Sequence, residues 1–589
     1  MRIPTLRTTP LHPLPLAAAW LTALLAAPAS AATPDAGQLL NEQQQLQTRP
    51  LERLPQAAPE QEQLIAPAPG AVTVRLRSIR ITGADGMADQ DELQAQVADA
   101  IGVNLDYAGL QQLADRVTQF LRNKGYLLAF AYLPAQELDQ GELEIAVQAG
   151  RLDSQAPDQG IELHADGTRI RSDILRDTVA AAVHSEDSDG ALRTRQLERG
   201  LLLLNDLPGI AARSTLEPGT TPGTSRVVIH AQEEPMLGAA FFTDNQGNRY
   251  SGEWRATGRL TLNNPGRIGD QASLLLTHAR DLNQAALSYR LPVGNRGLQL
   301  GASLGYLDYR VGKELAVLEA EGTALTARLN ASYPIIRSRR HNLWATVAYD
   351  YRRLKDELLQ ARIQDKAIHS ITLGLNGNMQ DRLAGRGMSF FSATLTHGEV
   401  DLGRNAAHLA ADRATAGTHG PYTKANLGLG RLHQLTPSLT FYGALSAQLA
   451  STNLDSSEKF ILGGPNAIRA YPVGEGSGDS GWLVNLELRQ DLPRPAGLAA
   501  MQLTGFVDAG GIRLHHRPWT GAVTNIGNDN RYELAGAGIG LNLALPSGIS
   551  LRASLSTPIG SNPGRTAAGR DSDGRSSGYR FWVQVAATY

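Results

Sequence analysis

From about residue 236 to the end, the chain alternates between apolar and polar positions. Leu343, Ala345, Val347, Tyr349 and Tyr351 fall on one side of a segment whose other side holds Trp344, Thr346 and Asp350. Val484, Leu486 and Leu488 oppose Asn485, Glu487 and Arg489 in the same way, and Leu551, Ala553 and Leu555 oppose Arg552, Ser554 and Ser556. A period of two residues is that of a strand with unlike faces. Clusters of Gly, Asn, Asp and Pro separate the segments. The final strand puts Tyr579, Phe581, Val583, Val585, Ala587 and Tyr589 on one face. A soluble antiparallel sheet alternates as well. An export segment at the front, tyrosines flanking strand ends and a closing aromatic point instead to a membrane barrel with lipid outside and a polar lumen. At roughly 22 residues per strand with its turn, residues 234–589 hold about 16 antiparallel strands.

Ahead of the barrel the texture is mixed helix and strand. In residues 72–150, Val72, Val74 and Leu76 alternate as a strand, and a helix is predicted from Asp91 to Ala100. A second helix sets Leu110, Leu113, Ala114, Val117, Phe120 and Leu121 on one face and stops at Lys124-Gly125. Strands follow at Leu127–Leu133 and Leu143–Val147. Residues 151–233 repeat the order, with helices at Ser172–Val183 and around Leu197, Leu201 and Leu204, and strands ending at Val227–Ile229; two like units form a tandem array. The acidic stretch Glu186-Asp187-Ser188-Asp189 lacks a calcium-loop pattern and reads as a solvated loop.

Within residues 32–71, the span 35–65 reads as a polar, Gln-rich helix carrying Leu39, Leu40, Leu46, Leu51 and Leu54, interrupted by Pro50 and Pro55. Pro59, Pro67 and Pro69 mark a linker. So polar a helix is marginal in water and needs a host surface, while composition alone fits an unstructured leader equally well. Residues 1–31 read as a secretory signal: Arg2 and Arg7, an apolar stretch from Leu14 to Ala27, and the small-residue site Ala29-Ser30-Ala31.

Charge and composition narrow the function. The 55 Lys+Arg and 57 Asp+Glu residues nearly cancel, which argues against nucleic acid as a partner. There is no cysteine, so thiol chemistry, zinc ribbons and disulfides are excluded. Gly574-Arg575-Ser576-Ser577-Gly578 formally fits Gly-x-Ser-x-Gly, but it lies in a Gly/Ser/Asp-rich connection with no following helix to form a nucleophile elbow. His515-His516 is a weak metal candidate. Neither a cofactor nor an enzyme activity is expected.

Several segments resemble the two-partner secretion transporters, the haemolysin-activator and filamentous-haemagglutinin transporter family within the outer-membrane insertase superfamily. Lys124-Gly125-Tyr126, Tyr132-Leu133-Pro134-Ala135-Gln136 and Gly141-Glu142-Leu143 look like the family's first POTRA (polypeptide-transport-associated) domain. The run from Leu197 to Gly209, with Leu204-Asn205-Asp206-Leu207-Pro208-Gly209 as its most specific part, looks like the second. Ile468-Arg469-Ala470-Tyr471, in a Gly-rich loop from Gly463 to Gly481, resembles the Val-Arg-Gly-Tyr/Phe loop motif. It departs at Ile468 and at Ala470, where a Cβ restricts positive φ. Phe506-Val507-Asp508-Ala509-Gly510 resembles the strand motif Phe-x-Asp-x-Gly, and parity places Asp508 in the lumen with Gln502 and Thr504, away from the lipid.

The resemblance implies two periplasmic POTRA domains and a plug helix ahead of an outer-membrane barrel in a Gram-negative cell. It implies that the Arg469 loop folds back into the barrel and pairs with Asp508 as a latch, with Tyr471 in the same loop. Such a pair is worth about 0–1 kcal/mol in a wet lumen, while breaking it in a packed one costs about 3–5 kcal/mol. The implied partner is a large haemolysin- or adhesin-like exoprotein, bound unfolded by the POTRA domains. Outer-membrane lipid and the barrel assembly machinery are the other implied partners. A protein assembly factor of the same superfamily is the competing reading.

Overall fold

Sixteen antiparallel strands, from Leu237–Asp244 to Arg580–Thr588, close into a barrel in the computed structural model. It describes residues 33–47 and 73–589 except 139, 154, 157, 166, 184–191, 222–223, 384 and 494–496. The expected signal segment, the part of residues 35–65 beyond 47, Val72 and the acidic stretch at 186–189 lie outside the described residues. The first and last strands pair through Asp244↔Gln584 and Ala240↔Thr588, which closes the ring and leaves no open edge.

Register carries the alternation around the wall. Arg328, Asp350 and Ser370 are cross-strand neighbours, as are Leu329, Tyr349 and Ile371 one position along. Asp350 and Ser370 are 8% and 4% exposed, whereas Leu329 and Ile371 are 60% and 53% exposed. The apolar ladder is the outward one, the reverse of a water-soluble sheet, and lipid is the solvent that accepts it. Among the described residues, no helix is long and apolar enough to cross a membrane.

The first α/β unit pairs Ser78–Thr82 in parallel with Glu142–Gln148, and Phe130–Tyr132 antiparallel to the latter. Helix Tyr107–Asn123 starts at Asp106, whose carboxylate accepts from the Gly109 N–H at 2.8 Å, and buries Leu110, Leu113, Val117 and Leu121 against Ile79, Ile81 and Ile145. Gly125 follows at φ 100°, a left-handed conformation that glycine adopts without strain. Three expected elements are shorter than predicted, and the strand expected through Val74 and Leu76 is only Val74–Arg75, because the strand breaks off at Leu76 before Ser78–Thr82 joins the sheet. The helix expected from Asp91 to Ala100 is Gln90–Ala95 followed by a 3₁₀ turn at Ala98–Ala100. Burial of Val97 and Ala100, and the bond from Gly102 N–H to the Leu76 carbonyl, turn the chain toward a pairing with Val74–Arg75. The strand expected at Leu127–Leu133 is only Phe130–Tyr132, because Leu127 and Leu128 pack into the second unit.

That second unit places helices Ser172–Val183 and Thr194–Asn205 on strands Ile161–His164, Ile210–Pro218 and Thr224–Glu233. It sits against one end of the barrel, where strands are joined by short turns such as 294–297 and 338–340. The other end carries the long connections, including 402–419, 451–479 and 560–579. The loop expected at Gly463–Gly481 is this 451–479 connection; it starts twelve residues earlier, and Ser480 and Gly481 already belong to the next strand. Helix Ala36–Gln47 lies inside the barrel, in the half with the long connections.

Candidate functional site in the barrel lumen

Two segments fill the lumen, and each is held by the polar inner faces of the strands. The helix packs Ala36, Leu39 and Leu40 against Tyr309, Leu354, Ile368 and Tyr422 of the wall. Its start is tied down: the Ala36 N–H donates to Asp356 Oδ1 at 2.8 Å, and Tyr309 OH donates to the same oxygen at 2.7 Å. Ser456 Oγ donates to Asp35, and Lys366, 2% exposed, lies 3.7 Å from Asp35 and 2.7 Å from Asp455. Further along, Asn41 donates to the Lys459 carbonyl at 2.7 Å and Arg255 donates to Gln43 at 2.7 Å. The Glu42 carboxylate is fully buried and accepts from Gln38 and Asn248. Burial pushes its pKa up to about 7, against amide donors that favour the ion.

The 451–479 connection folds inward. Ile468 and Ala470 are buried, and Tyr471 joins an apolar cluster with Leu462, Ile512, Tyr532 and Leu534. Between them Arg469 meets Asp508 in a forked contact, Nε to Oδ2 at 2.9 Å and Nη2 to Oδ1 at 2.7 Å. The Arg469 backbone N–H adds a third bond to Asp508 at 3.1 Å. Nη1 donates to Glu487 at 2.7 Å, and the guanidinium lies 3.4 Å from the centre of the Phe506 ring. The Arg469 carbonyl accepts from Ser556 Oγ at 2.7 Å and Trp582 Nε1 at 2.8 Å. With Asp508 0% and Arg469 12% exposed, the pair is packed, the regime in which losing one partner is expensive.

The structure therefore brings Arg469, Asp508 and Phe506 together, while Tyr471 stands apart as an apolar anchor. Gly510 makes room for the loop: a Cβ there would come within 2.7 Å of Leu462 Cδ2 and 3.3 Å of Ile468 Cδ1. Ala470 is not among the residues with positive φ, so its Cβ imposes no backbone strain. Instead its methyl rests against Gly536, where a Cβ would be 2.4 Å away. Ile468 replaces valine within the same apolar cluster.

Asn485, Glu487 and Arg489 were missed as partners. Asn485 bridges Asp508 Oδ1 at 2.8 Å and the Ala467 carbonyl at 3.0 Å, and Arg489 donates to Glu487 at 2.7 Å. Their shared polar face was visible in the alternation; that it opposes Asp508 depends on strand register. His515 packs on Trp519 and faces the Ala522 carbonyl, with burial lowering its pKa to about 4, so it is a loop-packing residue. The Asn205–Gly209 segment lies outside the lumen, at the opposite mouth.

A cavity of about 950 Å³ remains beside the helix, lined by Asn41, Gln45, Asn426, Gln448, Gln502 and Asn542. Elsewhere the wall presents paired hydroxyls and amides, including Thr257–Thr277 at 3.1 Å, Ser273–Ser288 at 2.7 Å and Thr372–Thr396 at 3.0 Å. Such a surface can exchange hydrogen bonds with a polypeptide backbone without binding a particular side chain.

Residues 223–543 match the family described as haemolysin secretion/activation protein ShlB/FhaC/HecB, and residues 74–150 match the ShlB-type POTRA domain. The chain is 25% identical over 503 residues to the heme/hemopexin transporter protein HuxB of Haemophilus influenzae, covering 85% of this chain and 84% of that one. It is 26% identical over 470 residues to the outer membrane transporter CdiB of Dickeya dadantii, covering 76% and 79%. Among solved structures, CdiB from Escherichia coli superposes with a TM-score of 0.67 at 19% identity, covering 95% of this chain and all of that one. BamA from Haemophilus ducreyi lacking POTRA domains 1–3 superposes with 0.51 at 15% identity, covering 88% and 100%.

Proposed function

The chain belongs to the haemolysin secretion/activation family of outer-membrane two-partner secretion transporters, and we propose that it exports one large haemolysin- or adhesin-like exoprotein whose unfolded N-terminal segment is taken up by the POTRA units. The observation that carries this reading is the occupied lumen. A closed barrel lined with hydroxyls and amides holds a short helix and an inward loop, with a tandem α/β array at one mouth.

In this reading the helix and the 451–479 loop keep the resting pore closed, and the Arg469–Asp508 pair latches the loop. Strand edges in the POTRA units accept an extended chain through main-chain hydrogen bonds, which demand little of its sequence. Passenger folding outside then biases movement outward, because a folded chain cannot slip back. Outer-membrane lipid covers the outward leucines, and the barrel assembly machinery inserts the barrel. The assembly-factor alternative is not favoured: relatives matched over most of the chain are transporters, and the likeness to BamA is one of fold.

The test is co-expression with the product of the adjacent reading frame, followed by assay of the medium. Appearance of that protein outside the cell only when this chain is present supports the reading. Its equal appearance without this chain would refute it.

A further inference from the structure

The segment Leu204-Asn205-Asp206-Leu207-Pro208-Gly209 takes no part in the lumen site, yet five of its six residues have a definite task. Leu204 fills the core of the second α/β unit. The Asn205 side chain donates to the Leu201 carbonyl at 2.8 Å and the Ala212 carbonyl at 3.0 Å, and accepts from the Ala212 N–H at 2.8 Å. That staple joins the end of helix Thr194–Asn205 to the following strand and holds the loop between them in one shape. Asp206 then points away from its own unit. Its two carboxylate oxygens receive Arg337 Nε at 2.8 Å and Nη2 at 2.7 Å, from the end of barrel strand Glu321–Arg337.

Arg337 is itself fixed: Nη1 donates to Asn342 at 2.9 Å, and the guanidinium lies 5.8 Å from the centre of the Trp344 ring. Asn342 in turn donates to Asn378 at 3.0 Å on the inner wall. Leu207 and Gly209 make the close approach to the rim. A Cβ on Gly269 would fall 2.9 Å from Leu207 Cδ2, and one on Gly209, at φ 82°, would fall 3.1 Å from Asn263 Cβ. Beside this contact, Arg199 donates to the Pro334 carbonyl at 2.9 Å, and Glu198 accepts the Arg339 N–H at 2.7 Å. The forked Asp206–Arg337 contact is the most directional of these, since two parallel bonds fix both distance and plane.

We propose that the Asn205–Gly209 loop is a docking element and that Asp206 and Arg337 are positioning residues, holding the POTRA arm at a set angle beneath the pore mouth so that a captured chain is delivered into the lumen. The delivery half rests on the transporter reading above; the docking half does not. The two α/β units move as one arm in this scheme, because the Thr194 N–H donates to the Gly125 carbonyl at 2.8 Å and Arg193 stacks on Tyr126 at 4.9 Å.

The chain has no cysteine, so Arg176→Cys on the second unit and Ser438→Cys on a barrel turn at the same end, both exposed, give two clean spin-label sites. In the full-length protein in liposomes, the distance distribution between them should be narrow. It should broaden in Asp206→Asn and Arg337→Ala, and narrow again in the exchanged pair Asp206→Arg with Arg337→Asp. Export of the partner should fall several-fold in the single variants and recover with the exchange, with heat-modifiable migration showing that each barrel is assembled. Unchanged distances in both single variants would overturn the docking role. Broadened distances with undiminished export would overturn the delivery role. Failure of the unsubstituted protein to export anything would count against the transporter reading and leave the distances to decide docking.

Discussion

Arg469 is the residue on which the lumen loop turns, because three donors of its side chain reach carboxylates on two neighbouring strands while its guanidinium lies over the Phe506 ring. Removing it leaves Asp508 buried beside Asn485 with no cation, a loss of about 3–5 kcal/mol for a packed pair. Arg469→Ala or Asp508→Ala should therefore free the loop and block partner export while the barrel still migrates in its heat-modifiable form. Normal export by both variants would refute the latch. A subtler residue effect follows from Ala470. Its methyl occupies space that Gly536 vacates, so Gly536→Ala forces an overlap costing about 1–3 kcal/mol, and Ala470→Gly should relieve it. Heat-modifiability midpoints of the two single variants and the double variant measure that coupling; strict additivity would mean the two sites do not touch.

At the scale of elements, the helix Ala36–Gln47 is polar enough to be marginal alone and is held by a polar host. Gly37 lets it come close to the loop: a Cβ would stand 2.4 Å from Ser456 Oγ. Deleting residues 36–47 should raise single-channel conductance in planar bilayers, and an unchanged conductance would mean this helix does not close the pore. In the proposed closed state, Glu42 gives docking of the helix a pH dependence. Its docked pKa of about 7 exceeds the ordinary 4.5, so the docked helix binds the proton more tightly than the released one. Docking is strongest below pH 4.5, weakens as pH rises toward 7 and is level above it. Open-channel activity should thus increase from pH 5 to pH 8, and Glu42→Gln should reduce that slope.

For the whole molecule, the barrel closes through the pairing of its first and last strands, and the α/β units contribute no strand to it. A chain lacking residues 74–233 should still insert as a heat-modifiable β-rich barrel while losing partner export, measured by migration, circular dichroism and assay of the medium. Retained export would show the arm to be dispensable. The linkage between arm and barrel is the part least visible in the sequence. Asp206 was singled out for its motif, but nothing near Arg337 marks it as the partner 131 positions away. The signal segment and the continuation of the N-terminal helix beyond residue 47 remain sequence expectations.

Alternation with period two is a local property, so the residues themselves determined that the back half is stranded, which face is apolar and that Asp508 points inward. Helix faces in the α/β units, such as Leu110, Leu113, Val117 and Leu121, were readable for the same reason. Register between strands, the inward fold of the 451–479 connection and the host of the polar helix were decided only by tertiary structure. Each depends on groups tens to hundreds of residues apart meeting in a closed cylinder, where a shift of one residue would turn every lumenal side chain toward lipid.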